Sequence, residues 1–263
     1  MTDLNRRFSS LNRLYGDDTR TKLERAHVCV VGVGGVGSWA VEALARSGVG
    51  KLTLIDADHV AESNINRQVQ ALTDTLGMSK INALAARIAQ INPECELVLV
   101  DDFVDKDHLN LLPHDAIILD CADQIQAKFA MILDCRRRKQ PLLTCGAAGG
   151  KTDPTRIQFA DLAHTVQDPI LAKIRQQLRD KFKRSPAERA AAMKASTNQH
   201  APKLYMPTLY SDEHVRFPNA TPDNTGAPQG LNCAGFGSSV MVTASFGMAA
   251  AQWAIERALK DAS

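Results

Sequence analysis

The sequence predicts an α/β fold built on one mostly parallel sheet, and two patterns lead to this prediction. Short apolar runs rich in β-branched residues alternate with segments of helical periodicity, as in parallel strands joined by helices. A glycine-rich turn follows the first of these runs directly. The chain has 263 residues, of which 44% are hydrophobic and 23% are charged, so it can bury a sizeable core.

The candidate strands are, in chain order, HVCVVG, KLTLID, ELVLVD, DAIILD, PLLTC and RIQFAD. Helical patterns lie between them, as in VGSWAVEALARSG, MSKINALAARIAQIN and QIQAKFAMILDCRRRKQP. Helices that connect parallel strands cover both faces of the sheet. We therefore expect residues 1–162 to form a doubly wound, Rossmann-like nucleotide-binding domain, and residues 163–263 a helical and loop extension that packs on it.

The extension begins with a helical pattern, DPILAKIRQQLRDKFKR, and continues with five prolines between residues 196 and 232, which predict a long, mobile loop. Residues 234–254 carry no charge and are long enough to span a bilayer. Their richness in Gly, Ala, Ser and Thr favours a buried helix instead. The N-terminus lacks the apolar core of a signal peptide, and the six cysteines form no CxxC pair. We expect a cytoplasmic protein with free thiols and no zinc site.

The glycine-rich turn predicts a nucleotide site, because such turns bring backbone N–H groups close to phosphates. Ser38 opens the following helix and could donate a further hydrogen bond. Asp56 comes 19 residues after the last glycine, the spacing of an acid that binds a ribose, and Asp58 follows it. These features leave the nucleotide unspecified. The glycines of the turn are Gly32, Gly34, Gly35 and Gly37.

Polar residues further along the chain favour a triphosphate. Asn64, Arg67 and Gln68 lie in SNINRQ, Lys80 starts the next helical pattern, and Asp123 follows a buried strand. Each charged residue has an ordinary explanation by itself: Arg67 as part of a surface ion pair, Lys80 as a solvated lysine, and Asp123 as a helix cap. Together they suit ATP with Mg²⁺, because phosphoryl transfer depends on positioning and charge neutralisation. Hydride transfer needs none of them, which disfavours a redox enzyme.

The segments GVGGVGS, DADHVAESNINRQ, GMSK and DCAD together resemble the adenylating superfamily of ubiquitin-activating-type enzymes, over roughly residues 7–160. The resemblance implies that Gly35 lies near the α-phosphate and that Asp56 binds the ribose. It further implies that Asn64, Arg67 and Lys80 bind phosphates, and that Asp123 holds Mg²⁺.

The superfamily also supplies an N-terminal arginine across a homodimer to the partner's ATP. In this sequence Arg7 and Arg13 are the candidates, and we favour Arg13.

Within the superfamily, activators of sulfur-carrier proteins commonly hold zinc in two CxxC pairs, which this chain lacks. RRFSSLNRLYG, INPECELVLVDDFV, DPTRIQFADLAHTVQDPILAKIR and GFGSSVMVTASFG instead resemble the bacterial tRNA threonylcarbamoyladenosine dehydratases. That resemblance implies adenylation of the threonyl carboxylate beside the anticodon, followed by closure to a hydantoin ring. The alternatives are adenylation of a sulfur carrier's C-terminal carboxylate and, in another class, a redox enzyme or nucleotide sensor.

Residues 173–194 carry eight Lys or Arg against two acidic residues, a local net charge of 8 − 2 = +6, which suits tRNA phosphates or an exposed helix face. Residues 136–139 (RRRK) could extend this patch. Tyr205, Tyr210 and Phe217 are candidates to stack on anticodon bases or to anchor the loop. The cations of the patch are Lys173, Arg175, Arg179, Lys181, Lys183, Arg184, Arg189 and Lys194.

Cys233 is a candidate nucleophile, because a thiol at the start of a helix can have a lowered pKa and relatives transfer acyl groups to a cysteine. Intramolecular ring closure does not need it, since the attacking nitrogen is already tethered to the carbonyl. Whether a sulfur-transfer protein is a partner stays open.

Overall fold

A computed structural model describes residues 3–182, 202–216 and 236–261. Its sheet contains the six expected strands and one more. The strands are β1 (His27–Val31), β2 (Lys51–Ile55), β3 (Glu96–Val100), β4 (Ile117–Asp120), β5 (Leu142–Cys145), β6 (Ile157–Asp161) and β7 (Pro207–Ser211).

The strand order is β3-β2-β1-β4-β5-β7-β6. Neighbouring strands run parallel except for β6, which pairs with β7 antiparallel. The chain winds outward from β1 in both directions, to β2 and β3 on one side and to β4 and β5 on the other. The predicted doubly wound, mostly parallel α/β fold is confirmed.

Helices cover both faces of the sheet. They are α1 (Leu4–Phe8), α2 (Ser10–Tyr15), α3 (Thr19–Arg25), α4 (Gly37–Arg46), α5 (Lys80–Ile91), α6 (Ile125–Arg138), α7 (Pro169–Lys181) and α8 (Val240–Asp261). The apolar residues of each strand alternate between two cores. Val28 and Val30 of β1 pack on one side with α4, α5 and α8, and Cys29 and Val31 pack on the other side with α6 and α7.

The long loop expected over residues 196–232 is wrong in part, because β7 lies within it. Pro207 is the first residue of this strand, a position where a missing N–H is tolerated. Leu209 and Tyr210 are buried. Tyr210 therefore belongs to the sheet and is not available to stack on a base, whereas Tyr205 is 80% exposed. Phe217 lies outside the described residues.

The uncharged segment forms most of α8, which starts at Val240 and continues to Asp261. Val242, Phe246 and Ala250 are buried in the core, as expected, while Met241 and Met248 are exposed. Within the described ranges, no helix has both the length and the hydropathy needed to cross a bilayer. The division of the chain at residue 162 stays a prediction.

Candidate functional site

A cavity of about 310 Å³ opens at the carboxyl ends of the parallel strands. It lies where the chain leaves β1 for β2 on one side and β4 adjoins β1 on the other, the switch point at which such sheets bind ligands. Loops that follow β1, β2, β3, β4 and β5 line it. Of the predicted site residues, the lining includes Gly32, Gly34, Gly35, Asp56, Asp58, Asn64, Arg67, Gln68, Lys80 and Asp123.

Two glycines of the turn leave no space for a side chain. Gly32 has a φ of +82°, and a Cβ there would lie 3.0 Å from the Cα of Ala122. A Cβ on Gly37 would lie 1.9 Å from the backbone oxygen of Gly32. Gly37 lies outside the cavity lining. Because it has no side chain, the first turn of α4 can pack against the glycine-rich turn at Gly32. The backbone at Gly34 and Gly35 then borders the cavity.

Asp56 is buried at the end of β2 and holds the glycine-rich turn in place. Its carboxylate accepts hydrogen bonds from the backbone N–H of Val33 (2.8 Å) and of Asp58 (2.9 Å). Burial raises the pKa of this carboxyl, and the nearby Lys80 partly offsets the rise. Each oxygen keeps a second lone pair, so the carboxylate can also accept a hydroxyl donor from the cavity.

Lys80 is buried in the first turn of α5, where two carboxylates surround its ammonium. The Nζ atom lies 2.6 Å from Oδ2 of Asp58 and 4.0 Å from Oδ1 of Asp56. The side chain of Asp58 is 56% exposed, so this ion pair faces solvent on one side. A phosphate that entered the cavity could take over the place of Asp58 on the ammonium.

Arg67 borders the cavity beside the glycine-rich turn. Its Nη1 atom donates to the backbone oxygen of Ser63 (2.7 Å) and to Oδ1 of Asn66 (3.0 Å). Within the described ranges no carboxylate pairs with it. Its guanidinium therefore keeps donors for an anion. Asn64, also in the lining, accepts from the N–H of Ala61 through its side-chain oxygen (3.1 Å).

Gln68 is buried in the lining, and its Oε1 accepts from the side chain of Gln70 (3.0 Å). Ser38 is placed differently from our expectation. It is fully buried, lies outside the lining and accepts a long hydrogen bond (3.4 Å) from the N–H of Val69. The helical turn directs this side chain to the loop that carries Gln68 and Gln70, away from the cavity.

Asp123 follows β4 at the rim of the cavity, where it is exposed. No residue in the described part of the chain forms a hydrogen bond or ion pair with its carboxylate. Among the described residues, no three His, Cys, Asp or Glu side chains converge on one point. A single carboxylate oxygen beside a triphosphate is nevertheless the kind of ligand that Mg²⁺ takes, since the phosphates complete its coordination.

The two N-terminal arginines are in different environments. Arg7 donates to the backbone oxygens of Gln90 (3.1 Å) and Ile91 (2.6 Å), so it caps the carboxyl end of α5. Arg13 is exposed on α2, and no partner for its guanidinium lies within the described ranges. Neither residue lines the cavity. Of the two, Arg13 is therefore the one whose guanidinium makes no contact among the described residues.

The cations of α7 do not all face solvent. Lys173, Arg179 and Lys181 are exposed. Arg175, predicted to contact nucleic acid, instead turns inward and donates to the backbone oxygen (2.9 Å) and hydroxyl (2.8 Å) of Thr165. It sits at the edge of the buried stripe of α7, and burial lowers its pKa. Lys183, Arg184 and Cys233 lie outside the described residues.

Sequence reasoning missed two charged residues of the cavity lining, Asp102 after β3 and Lys128 of α6. Lys128 is the buried one. It is 1% exposed and donates to Oδ1 of Asp120 at 3.0 Å. Its signal in the sequence is a lysine on the stripe that also holds Met131, Ile132 and Cys135. The sequence also did not predict lining residues in the loop after β5 or around the start of α8. These are Gly146, Ala147, Ala148, Ser238 and Thr243.

Comparison with known proteins places this chain in a family. The ThiF family matches residues 6–262. A tRNA threonylcarbamoyladenosine dehydratase of Escherichia coli (strain K12) is 42% identical over 268 residues, which cover 98% of this chain and 95% of the relative. Two crystal structures of an E. coli tRNA N6-threonylcarbamoyladenosine dehydratase, one in complex with AMP and one with ATP, are each 40% identical to it. Their TM-scores are 0.82 and 0.81, and both alignments cover 99% of this chain and 97% of the crystallised chain. The chain therefore belongs to the ThiF family.

Proposed function

We propose that the chain catalyses the ATP-dependent dehydration of threonylcarbamoyladenosine in tRNA. The observation that carries the proposal is the cavity itself, which collects ten of the predicted site residues at the switch point of the sheet. The dehydratase of E. coli, similar over almost the full length of both chains, and the ATP complex of such an enzyme support it. Residues 1–162 then supply most of the adenylating domain, and residues 163–263 the candidate tRNA contact region.

The cavity has a place for each part of ATP. The carboxylate of Asp56 accepts the ribose hydroxyls, since both of its oxygens keep a lone pair. The backbone at Gly34 and Gly35 approaches the α-phosphate. Arg67, Lys80 and Asn64 face the phosphates, and binding moves Lys80 from its ion pair with Asp58 to a phosphoryl oxygen.

In the first step, an oxygen of the threonyl carboxylate attacks the α-phosphorus of ATP. The bond from that phosphorus to the bridging oxygen breaks, and pyrophosphate leaves with the electron pair. Arg67 and Lys80 neutralise the charge that builds up on the phosphoryl oxygens, which is the main contribution a protein makes to such a displacement. The product is an acyl-adenylate.

In the second step, the neighbouring carbamoyl nitrogen attacks the activated carbonyl carbon. A carbon–nitrogen bond closes the hydantoin ring, the bond to AMP breaks, and the nitrogen releases its proton. The nucleophile is tethered to the carbonyl and has a high effective concentration. A covalent intermediate on Cys233 is therefore unnecessary. Across both steps the carboxylate loses one oxygen to AMP and the nitrogen loses one proton, which, counted from the un-ionised carboxylic acid, amounts to the loss of water.

Mg²⁺ would be held by Asp123 together with the phosphates. When bound, the ion offsets the negative charge of the triphosphate and of the leaving pyrophosphate. The exposed, unpaired carboxylate at the cavity rim supports this assignment.

The enzyme acts as a homodimer in which Arg13 of one protomer reaches the ATP of its partner. An apolar surface beside Arg13 supports an interface there. Leu14 is 71% exposed and Tyr15 37%, and Tyr15 donates to Gln252 of α8 (3.0 Å). Met248 lies one helical turn from Gln252 and is 43% exposed.

The tRNA crosses α6 and α7, and the basic face consists of the exposed cations on these helices and at their ends: Arg137, Lys139, Lys173, Arg179 and Lys181. The two helices are joined there by Arg136, which lies 4.8 Å from the ring centre of Phe182, and by Lys181, which lies 5.9 Å from that of Phe129. Both basic segments of the sequence thus contribute to one surface.

ATP–pyrophosphate exchange tests the proposed function. The assay is run with tRNA that carries threonylcarbamoyladenosine, with tRNA that lacks it, with a ubiquitin-like sulfur-carrier protein and without addition. Exchange that depends on the modified tRNA, together with AMP and the cyclised nucleoside in the products, is the expected result. Exchange with the carrier protein alone would replace the proposal by the sulfur-carrier reaction, and NADH binding without any exchange would replace it by a redox function.

A further inference from the structure

Lys128 is fully buried in α6 and yet lies in the lining of the nucleotide cavity. Its ammonium donates to Oδ1 of Asp120 (3.0 Å), to the backbone oxygen of Asp120 (3.3 Å) and to the backbone oxygen of Cys145 (2.7 Å). An ammonium has three protons, so these three acceptors use them all. None remains for a ligand.

The three acceptors belong to the last residues of two adjacent strands. Asp120 ends β4 and Cys145 ends β5, and the strands are parallel neighbours. Residues 121–123, which end in Asp123, follow the first, and residues 146–148 of the cavity wall follow the second. One side chain therefore ties together the two strand ends from which this half of the cavity is built.

Neighbouring carboxylates reinforce the same two segments. Oδ1 of Asp120 accepts from the N–H of Ala122 (3.3 Å), and Oδ2 of the buried Asp168 accepts from the N–H of Ala147 (2.8 Å). Burial raises the pKa of both carboxyls. Burial also lowers the pKa of Lys128, but the charge of Asp120 and its hydrogen bond, together with the neighbouring thiols of Cys145 and Cys121, outweigh burial, so the net shift of that pKa is upward.

We propose that Lys128 is a positioning residue for the adenylation and ring closure. Without contact to either reactant, it fixes the backbone that carries Asp123 and the wall at residues 146–148. The proposal rests on the proposed function for its effect on rate. Its effect on the geometry of the cavity is independent of that function.

The test uses Lys128→Met, which removes the charge and keeps the length, and the double variant Asp120→Asn/Lys128→Met. The single variant leaves a buried carboxylate without its cation and should unfold at a lower temperature. The double variant removes both charges and should recover much of that stability. Because both lose the bonds to the strand ends, both should lose roughly tenfold to a hundredfold in kcat. The KM for ATP should change much less, since the ribose and phosphate contacts come from the loops after β1 and β2.

A second measurement does not depend on catalysis. Cys121 belongs to the cavity lining and directly follows Asp120 in the chain. Its thiol lies 4.0 Å from that of Cys145. Loosened strand ends should expose it, so alkylation of Cys121 by N-ethylmaleimide should accelerate in both variants. Lys151→Met is the matched control, because Lys151 is also buried and donates to three backbone oxygens but is absent from the lining. It should lose stability without faster alkylation.

A folded double variant with the alkylation rate and kcat of the wild type would overturn the proposal. If the wild type shows no tRNA-dependent exchange, the proposed function is wrong. The alkylation rates then still decide on Lys128: faster labelling supports its positioning role, and unchanged labelling refutes it.

Discussion

Asp123 reaches the rim of the cavity with a carboxylate that no described residue uses. Its replacement therefore removes the proposed magnesium ligand without breaking any hydrogen bond or ion pair among the described residues. We expect Asp123→Ala to reduce AMP formation at least about a hundredfold, because the charge of the triphosphate is no longer neutralised at this point. The affinity for tRNA should stay within about twofold, since the basic face is untouched.

AMP release and filter binding of modified tRNA measure the two quantities. Asp107→Ala is the control, because that side chain is 69% exposed and pairs only weakly with Lys106 at 3.5 Å. Unchanged turnover in Asp123→Ala would refute the metal assignment.

Single residues also show what a sequence can and cannot predict about a site. The position of Asp56, Lys80 and Asp123 in the cavity lining could be predicted because each follows a strand or starts a helix at the ligand edge of the sheet, and that of Arg67 because it belongs to a dense polar run after Asp56. Their roles toward a nucleotide stay predictions. Lys128 was not predictable, since its role depends on how β4 and β5 are aligned, which no local pattern specifies. Ser38 has the right place in the chain, but the pitch of α4 turns its side chain inward.

The contact between α4 and α5 depends on Glu42, a buried carboxylate of α4. It accepts from Arg46 (2.7 Å) on its own helix and from Arg87 of α5 at 2.6 Å and 3.0 Å. Glu42→Gln should lower the free energy of unfolding by about 2 kcal/mol, because bonds to charged groups are lost. Glu24→Gln, which breaks the exposed pair with Arg20 on α3, should cost less than about 1 kcal/mol.

The same substitution should change the response to acid. Burial raises the pKa of Glu42, but the bonds from Arg87 and Arg46 outweigh it, so the net shift is downward. The stabilisation is thus fully present above the pKa of the unfolded state and is lost as the pH falls through the lower pKa of the folded state. Urea unfolding at neutral pH and near pH 4 should show that the deficit of Glu42→Gln shrinks in acid. A constant deficit would contradict the ion-pair interpretation.

At the level of elements, the six strands predicted from apolar runs are confirmed, because buried parallel strands are continuous apolar segments. β7 escaped prediction since its short run, PTLYS, begins with proline and lies among turn-forming residues. The sequence also did not predict that Arg175 turns inward. This residue follows Ile174 and lies four residues after Leu171, so it is at the border between the buried and exposed sides of α7.

For the whole molecule, the basic face predicts how tRNA binding depends on salt. Charge reversal of Lys173, Arg179 and Lys181 together should flatten the plot of log affinity against log salt by about 3, as each lost phosphate contact removes about 0.9 from the slope. The control is Lys260→Glu at the exposed end of α8, which should leave the slope unchanged. A triple variant with the slope of the wild type would exclude this surface.

Dimerisation can be tested by mixing two inactive variants. If Arg13 acts on the partner's ATP, a dimer of one Arg13→Ala protomer and one Asp123→Ala protomer has one site with both residues intact. Random exchange of subunits should then restore about a quarter of the activity of the wild type. An arginine that acts within its own protomer would give no recovery, and sedimentation would show whether mixed dimers form.

The order of the strands also affects how the protein folds during its synthesis on the ribosome. Among the described residues β6 pairs with β7 alone, yet β7 comes 45 residues or more after it in the chain, since β6 ends at Asp161 and β7 begins at Pro207. On the ribosome, β6 therefore has no neighbour until residue 211 has emerged from the exit tunnel. A nascent chain that stalls before that point would present an unpaired edge to chaperones.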